Sequence, residues 1–166
     1  MTQRVAIRPW NEADAAEIVA AHANLQGAML PILHALMEAF GYIDAAAIPI
    51  VASALNVSKA EVHGVIGFYH DFRTELPGRH VFKVCRAEAC QAMGCDGLIA
   101  DLERRFAARL GETSPDGAVT LEAVYCLGNC ALSPAAMLDG KLHGRVTPAK
   151  AETLLAAAHK RSSGRA

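Results

Sequence analysis

Four cysteines stand in two separated pairs: Cys85 and Cys90 in "VCRAEACQAMG", and Cys126 and Cys130 in "YCLGNCALSP". The spacings are C-x4-C and C-x3-C. Thiolates so arranged can hold one tetrahedral zinc or an iron–sulfur cluster. Structural zinc most often uses C-x2-C, because two residues suffice to turn the chain about a single ion. A binuclear [2Fe–2S] rhomb keeps its two pairs of sulfurs farther apart, so the wider loops favour the cluster, one iron to each pair. A Rieske centre would need two histidines, and neither loop contains one. A thioredoxin-type dithiol needs C-x-x-C, which is absent. Ala87, Ala89 and Gly128 are small residues that leave backbone amides free to point at sulfur and tune a redox centre. Cys95 has no partner at comparable spacing and reads as a thiol packed under a helix. The rival for the other four, ordinary buried thiols, sits poorly with their pairing.

The remaining composition narrows the setting. The chain has 166 residues, 52% of them hydrophobic, and a formal net charge of −1. There is enough apolar material for a real core, and no charge excess that would suit a polyanion surface. Five cysteines cannot form a fully paired disulfide framework, and a reducing compartment disfavours disulfides altogether. The N-terminus carries acidic residues where a signal peptide needs an apolar run. The longest largely apolar stretch, "AAAIPIVASAL", falls well short of the ~20 residues that span a bilayer. The expectation is a cytoplasmic protein with no direct membrane insertion.

Two kinds of segment must position the thiols. Residues 1–76 read as a helical domain. Asn11 caps a first helix, and "MLPILHALMEAFG" repeats apolar residues at helical spacing, with Pro31 in its first turn and Gly41 as its left-handed stop. Asp44 opens a third helix with Pro49 near its start, and "SKAE" (58–61) is a capping box before "VHGVIGFY". "ELPGRH" (75–80) is a linker. Residues 77–166 then alternate differently. "HVFKV" is a buried strand, a helix runs from about Gly94 to Leu110, and "AVTLEAVY" is a second strand. "AAMLDGKLHGRV" is a hairpin turning at Asp139-Gly140, and Thr147-Pro148 starts a last helix before a frayed "RSSGRA" tail. The expected fold is α+β: a helical bundle followed by a thioredoxin-like α/β layer, with both cysteine loops leaving strand ends on one sheet edge.

At these residues the sequence resembles a known family. "VCRAEACQAMG" with "ETSPDGAVTLEAVYCLGNCALSP" is similar to the thioredoxin-like [2Fe–2S] ferredoxins, the small cluster subunits of complex I, NAD-reducing hydrogenases and NAD-dependent molybdenum formate dehydrogenases. "LPILHALMEAFGYI", "VSKAEVHGVIGFYHDF" and "PGRH" resemble the helical portion of the same family. The resemblance implies that Cys85, Cys90, Cys126 and Cys130 ligate one [2Fe–2S] cluster, while Cys95 falls where the family commonly has a small residue. "AMLDGKLHGRVTPAK" resembles the formate dehydrogenase gamma branch more than the complex I branch. The implied partners are a beta-type subunit binding flavin and NAD and an alpha-type molybdenum subunit, which hold the FMN, NAD and molybdenum cofactor. The chain shows neither G-x-G-x-x-G nor G-x-x-x-x-G-K, so it reads as a non-catalytic electron carrier rather than an enzyme on its own.

Two other readings compete. "IPIVASALNVSKAEVHGVIGFY" has a helix-turn-helix pattern, which beside a cluster could describe a redox-sensing regulator. Its second helix offers one lysine, one glutamate and no arginine, a poor recognition surface, so no nucleic-acid partner is expected. A free-standing ferredoxin or a zinc scaffold is the other. Independent ferredoxins are typically strongly acidic, unlike this near-neutral chain. His63 and His70 read as surface or interface residues, and Tyr42, Phe68, Tyr69 and Phe72 as core or docking aromatics. Glu122 has no evident partner.

Overall fold

The computed structural model describes residues 7–163, and the chain divides into two compact units, Met1–Leu76 and Pro77–Ala166. The first is helical. Helix α1 (Glu12–His22) starts where the Asn11 side chain accepts the Asp14 N–H at 3.1 Å. Helix α2 (Met29–Phe40) carries Pro31 in its first turn and ends at Gly41, whose φ of 79° gives the left-handed stop. Asp44 caps a turn by accepting the Ala46 N–H at 2.9 Å, so α3 (Ala47–Leu55) begins later than the expected opening at Asp44. Asn56, at φ 53°, ends α3 and bends the chain towards α4 (Lys59–Phe68). There the Glu61 N–H donates to the Ser58 hydroxyl at 3.2 Å, and the Ser58 N–H donates to the Glu61 carboxylate at 2.8 Å. Ile32, Leu33, Leu36, Phe40, Val51 and Val62 form the centre of this unit's core. Each such side chain contributes roughly 1.5–3 kcal/mol by leaving water.

The second unit is a four-stranded mixed sheet with helices. Its elements are β1 (His80–Cys85), α5 (Glu88–Ala92), α6 (Cys95–Phe106), β2 (Val119–Val124), a 3-10 turn (Cys130–Leu132), β3 (Ala136–Leu138), β4 (Lys141–His143) and α7 (Pro148–Ser163). The sheet order is β2-β1-β3-β4. Central β1 pairs in parallel with β2, from His80 opposite Val119 to Cys85 opposite Val124, and antiparallel with β3. A central strand covered on both faces must be apolar nearly throughout, and Val81, Phe82, Val84 and Cys85 are all buried. The one charge between them, Lys83, meets Glu122 across the ladder at 3.4 Å. Glu122 thus has the partner that sequence alone did not supply.

Several boundaries differ from expectation for local reasons. The linker is shorter than 75–80, since His80 already pairs with Val119. The loop expected after Cys85 contains the short helix α5, and Cys85 itself is the last residue of β1. Helix α6 stops at Phe106, short of Leu110, because Ala107 adopts the left-handed region (φ 48°) and closes the last turn. The β3–β4 turn has Asp139 at φ 50° and Gly140 at φ 80°, the two positive values that a tight hairpin requires. Thr147 caps α7, accepting the Lys150 N–H at 3.2 Å. That helix continues into the expected frayed tail, whose residues 164–166 lie outside the described residues.

Replacing Ser58 with alanine removes the hydroxyl that accepts the Glu61 N–H, leaves the backbone N–H that donates to the Glu61 carboxylate, and should cost about 1 kcal/mol. In urea unfolding the midpoint should fall while the slope stays unchanged.

Candidate metal centre

The parallel register of β1 and β2 sets the site. Both strands run toward the same sheet edge, and each delivers a cysteine-bearing segment there. Cys85 ends β1, Cys90 lies in α5, Cys126 follows β2, and Cys130 starts the 3-10 turn. Cys126 takes a positive φ of 72°, as does Gly128, so this loop curls tightly back on itself. The Cys126 and Cys130 sulfurs approach to 3.9 Å. Cys85 and Cys90 are buried, whereas Cys126 and Cys130 are exposed.

Hydrogen bonding joins the two segments at Cys85. Burial alone pushes its thiol pKa up, but the amide of Ala87, the thiol of Cys90 and the amides of Leu127 and Cys126 outweigh that and leave it lowered. Donors from both loops therefore converge on one sulfur. Ala87 fulfils the expectation that small loop residues free their amides to point at sulfur. Cys130 is raised, first by its hydrogen bond with Cys126 and then by that residue's charge. Cys90 reaches the Ser133 hydroxyl at 3.5 Å. Cys95 begins α6, fully buried in the core, and its thiol is raised by burial and then by Asp96. Sequence reasoning placed it under the helix, and that is where it lies.

Cys126 and Cys130 form one close pair of thiols, and Cys90 is hydrogen-bonded to Cys85 in the other. Four thiolates in two pairs are a donor set that fits a [2Fe–2S] cluster. Among the described residues no three His, Cys, Asp or Glu side chains are grouped to hold one metal ion. His63 and His70 are exposed residues of the helical unit, in keeping with the surface reading. Ser133, by contrast, is a polar contact of the site, accepting from the Cys90 thiol. The Ser-Pro step after Cys130 was its one signal.

A third segment braces the cysteine turn. Arg145 N–H donates to the Leu132 carbonyl, and Val146 N–H donates to the Pro134 carbonyl at 2.8 Å. At Gly144 the backbone comes so close that an added Cβ would lie 2.5 Å from Leu132 Cβ and 2.8 Å from the Asn129 amide nitrogen.

Residues 15–159 match the model of the family described as thioredoxin-like [2Fe-2S] ferredoxin. The chain belongs to this family. Its cofactor is one [2Fe–2S] cluster, and the paired thiols suit it. Relatives of this [2Fe–2S] ferredoxin include the NADP-reducing hydrogenase subunit HndA of Solidesulfovibrio fructosivorans, 31% identical over 79% of this chain and 77% of the relative. An NADH-quinone oxidoreductase subunit of Pseudomonas aeruginosa is 33% identical over 80% of each chain. Its counterpart from Escherichia coli is 32% identical over 78% of each. Among solved structures, an NAD+-reducing [NiFe]-hydrogenase in the H2-reduced state superposes with a TM-score of 0.66 at 23% identity, covering 88% of this chain and 22% of that one. This supports the thioredoxin-like fold, and the chain spans under a quarter of that hydrogenase chain.

Gly144→Ala forces Leu132 and Asn129 outward and so displaces the turn that carries Cys130. The expected result is a lower melting temperature and fewer irons retained per chain after gel filtration. Unchanged iron content would mean that the turn absorbs the methyl group without moving Cys130.

Proposed function

We propose that this chain is the electron-transfer subunit of an NAD-linked oxidoreductase complex, with Cys85, Cys90, Cys126 and Cys130 as the ligands of its cluster. The observation that carries this reading is the convergence of the two thiol pairs at one sheet edge, with amides of both loops meeting the Cys85 sulfur. The bound cluster supplies one-electron exchange, for which the exchange partner is a flavin held by another subunit. The chain's own residues hold the group, exclude water from Cys85 and Cys90, and leave Cys126 and Cys130 on the open side. Within the family we assign it to the formate dehydrogenase gamma branch, on the segment "AMLDGKLHGRVTPAK". Its partners are then a beta-type subunit with FMN and NAD and an alpha-type subunit with the molybdenum cofactor, in the cytoplasm. Among the described residues no helix is long and apolar enough to cross a membrane. The curated relatives favour a second reading at the same level, the small cluster subunit of complex I or of a hydrogenase.

The helical unit, residues 1–76, serves as a docking domain in this proposal. Met29, Val57, Val65, Phe68 and Tyr69 line an apolar groove of about 480 Å³, and Phe68 is 73% exposed. A DNA-reading helix needs cations facing outward. Helix α4 offers Lys59 alone, and Glu61 on the same turn is engaged with Ser58. The groove suits an apolar protein surface better than phosphate.

The decisive test is electron paramagnetic resonance of the dithionite-reduced protein, with iron, zinc and acid-labile sulfide counted on the same sample. A spin-one-half signal with two irons and two sulfides per chain is expected. One zinc and no signal would replace the carrier by a scaffold. Serine at position 85, 90, 126 or 130 should abolish or deform the signal, while Cys95→Ser should leave it intact. Co-purification with flavin and molybdenum subunits distinguishes the gamma assignment from the other complexes.

A further inference from the structure

Ser133 is buried at 8% exposure and stands between the two thiol segments. Its hydroxyl donates to the Cys130 carbonyl at 2.8 Å, and its oxygen accepts from the Cys90 thiol at 3.5 Å. A buried hydroxyl has one proton and two lone pairs, so both contacts are satisfied at once in the thiol form. As a metal ligand, however, Cys90 is a thiolate and has no proton left to give. The same pair of atoms can then remain hydrogen-bonded only if the hydroxyl becomes the donor.

The geometry points to Ser133 as the residue that tunes the reduction potential of this centre, by turning its hydroxyl proton from the Cys130 carbonyl onto the Cys90 sulfur. The rotation strands no buried acceptor, because the backbone N–H of Ser133 itself also donates to the Cys130 carbonyl, at 3.3 Å. A hydrogen bond to a charged sulfur is stronger than one to a neutral carbonyl, which favours the turned state. Drawing electron density from a ligand sulfur stabilises the more negative, reduced state and raises the potential. Ser133 is braced for this task. Its amide and hydroxyl both hold the 3-10 turn, and the next residue, Pro134, has its carbonyl tied to Val146. No covalent bond changes at Ser133: the thiol proton of Cys90 leaves to solvent when the ligand forms, and the hydroxyl proton only changes acceptor.

This inference rests on the proposed assignment of Cys90 as a ligand, and the test separates the two. Redox titration of the reduced-state paramagnetic signal is compared for wild type, Ser133→Ala, Ser133→Thr and Ser133→Val. Threonine and valine have nearly the same shape and differ in the hydroxyl, so a merely structural effect would move both together. The expected result is a midpoint shifted to more negative potential in the Ala and Val variants, with the Thr variant close to wild type. Equal midpoints for Thr and Val, or an Ala variant at the wild-type midpoint, would overturn the role of the hydroxyl. Loss of the signal in all three variants would overturn it too, by making Ser133 a support of the turn alone. Absence of any two-iron signal in wild type would instead remove the ligand assignment itself.

Discussion

The site depends above all on the parallel pairing of β1 with β2. A six-residue strand is about 20 Å long, so an antiparallel pair would put the two cysteine segments at opposite ends of the sheet. The parallel register from His80–Val119 to Cys85–Val124 brings them to the same end of the sheet. Such pairing demands a crossover, and α5 and α6 supply it between the strands. Leu98, Ile99 and Leu102 of α6 join the core that backs β1, while Asp101 holds Arg104 and Arg105 on the outer side. Hydrophobic burial of a helix thus fixes where the sulfurs of the two strands emerge.

The hairpin completes what the parallel pair begins. Strand β3 flanks β1 on its other side, and the Cys85 N–H donates to the Ala135 carbonyl at 3.0 Å just beyond the paired residues. Cys85 is therefore held from both neighbours, since Arg86 N–H donates to Val124 on the β2 side at 2.8 Å. At the far end His80 and Val81 both bind the Asp139 carboxylate, at 2.7 and 3.0 Å, which pins the hairpin turn to the start of β1. Anchoring at both ends leaves the segment 130–134 little freedom to slide. This explains why a glycine is needed at 144, where the connection from β4 passes against that segment.

The cysteine pairs could be read from sequence because thiols are rare and their spacing is a local property. Helix starts were readable for the same reason: Asn11, Ser58 with Glu61, and Thr147 each act within a few residues of themselves. The helix end at Phe106 and the start at Ala47 were misplaced because each depends on a single backbone choice, Ala107 turning left-handed and Asp44 capping a turn instead of a helix. The Lys83–Glu122 pair needed the register between strands far apart in the chain, which no local pattern encodes. The bracing of the 3-10 turn by residues 144–146 was hidden likewise. It is made by backbone groups, and backbone groups have no sequence signature.

The four sulfurs are unevenly buried, and for an electron carrier this matters. Cys85 and Cys90, at 3% and 2% exposure, sit in a medium that disfavours charge, and amide donors offset that cost at Cys85. Cys126 and Cys130 face solvent and are flanked in sequence by exposed apolar side chains, Tyr125 at 70% and Leu132 at 39%. The fixed donors on the inner side stay the same whether or not a partner is docked. The outer side is the part whose dielectric changes when another protein covers it. An apolar rim there favours being covered, and covering it withdraws water from the pair that water reaches most easily. In the proposed ligand set, the inner hydrogen bonds and the solvent-facing side therefore bear on different cysteines, Cys85 and Cys90 on the one hand and Cys126 and Cys130 on the other.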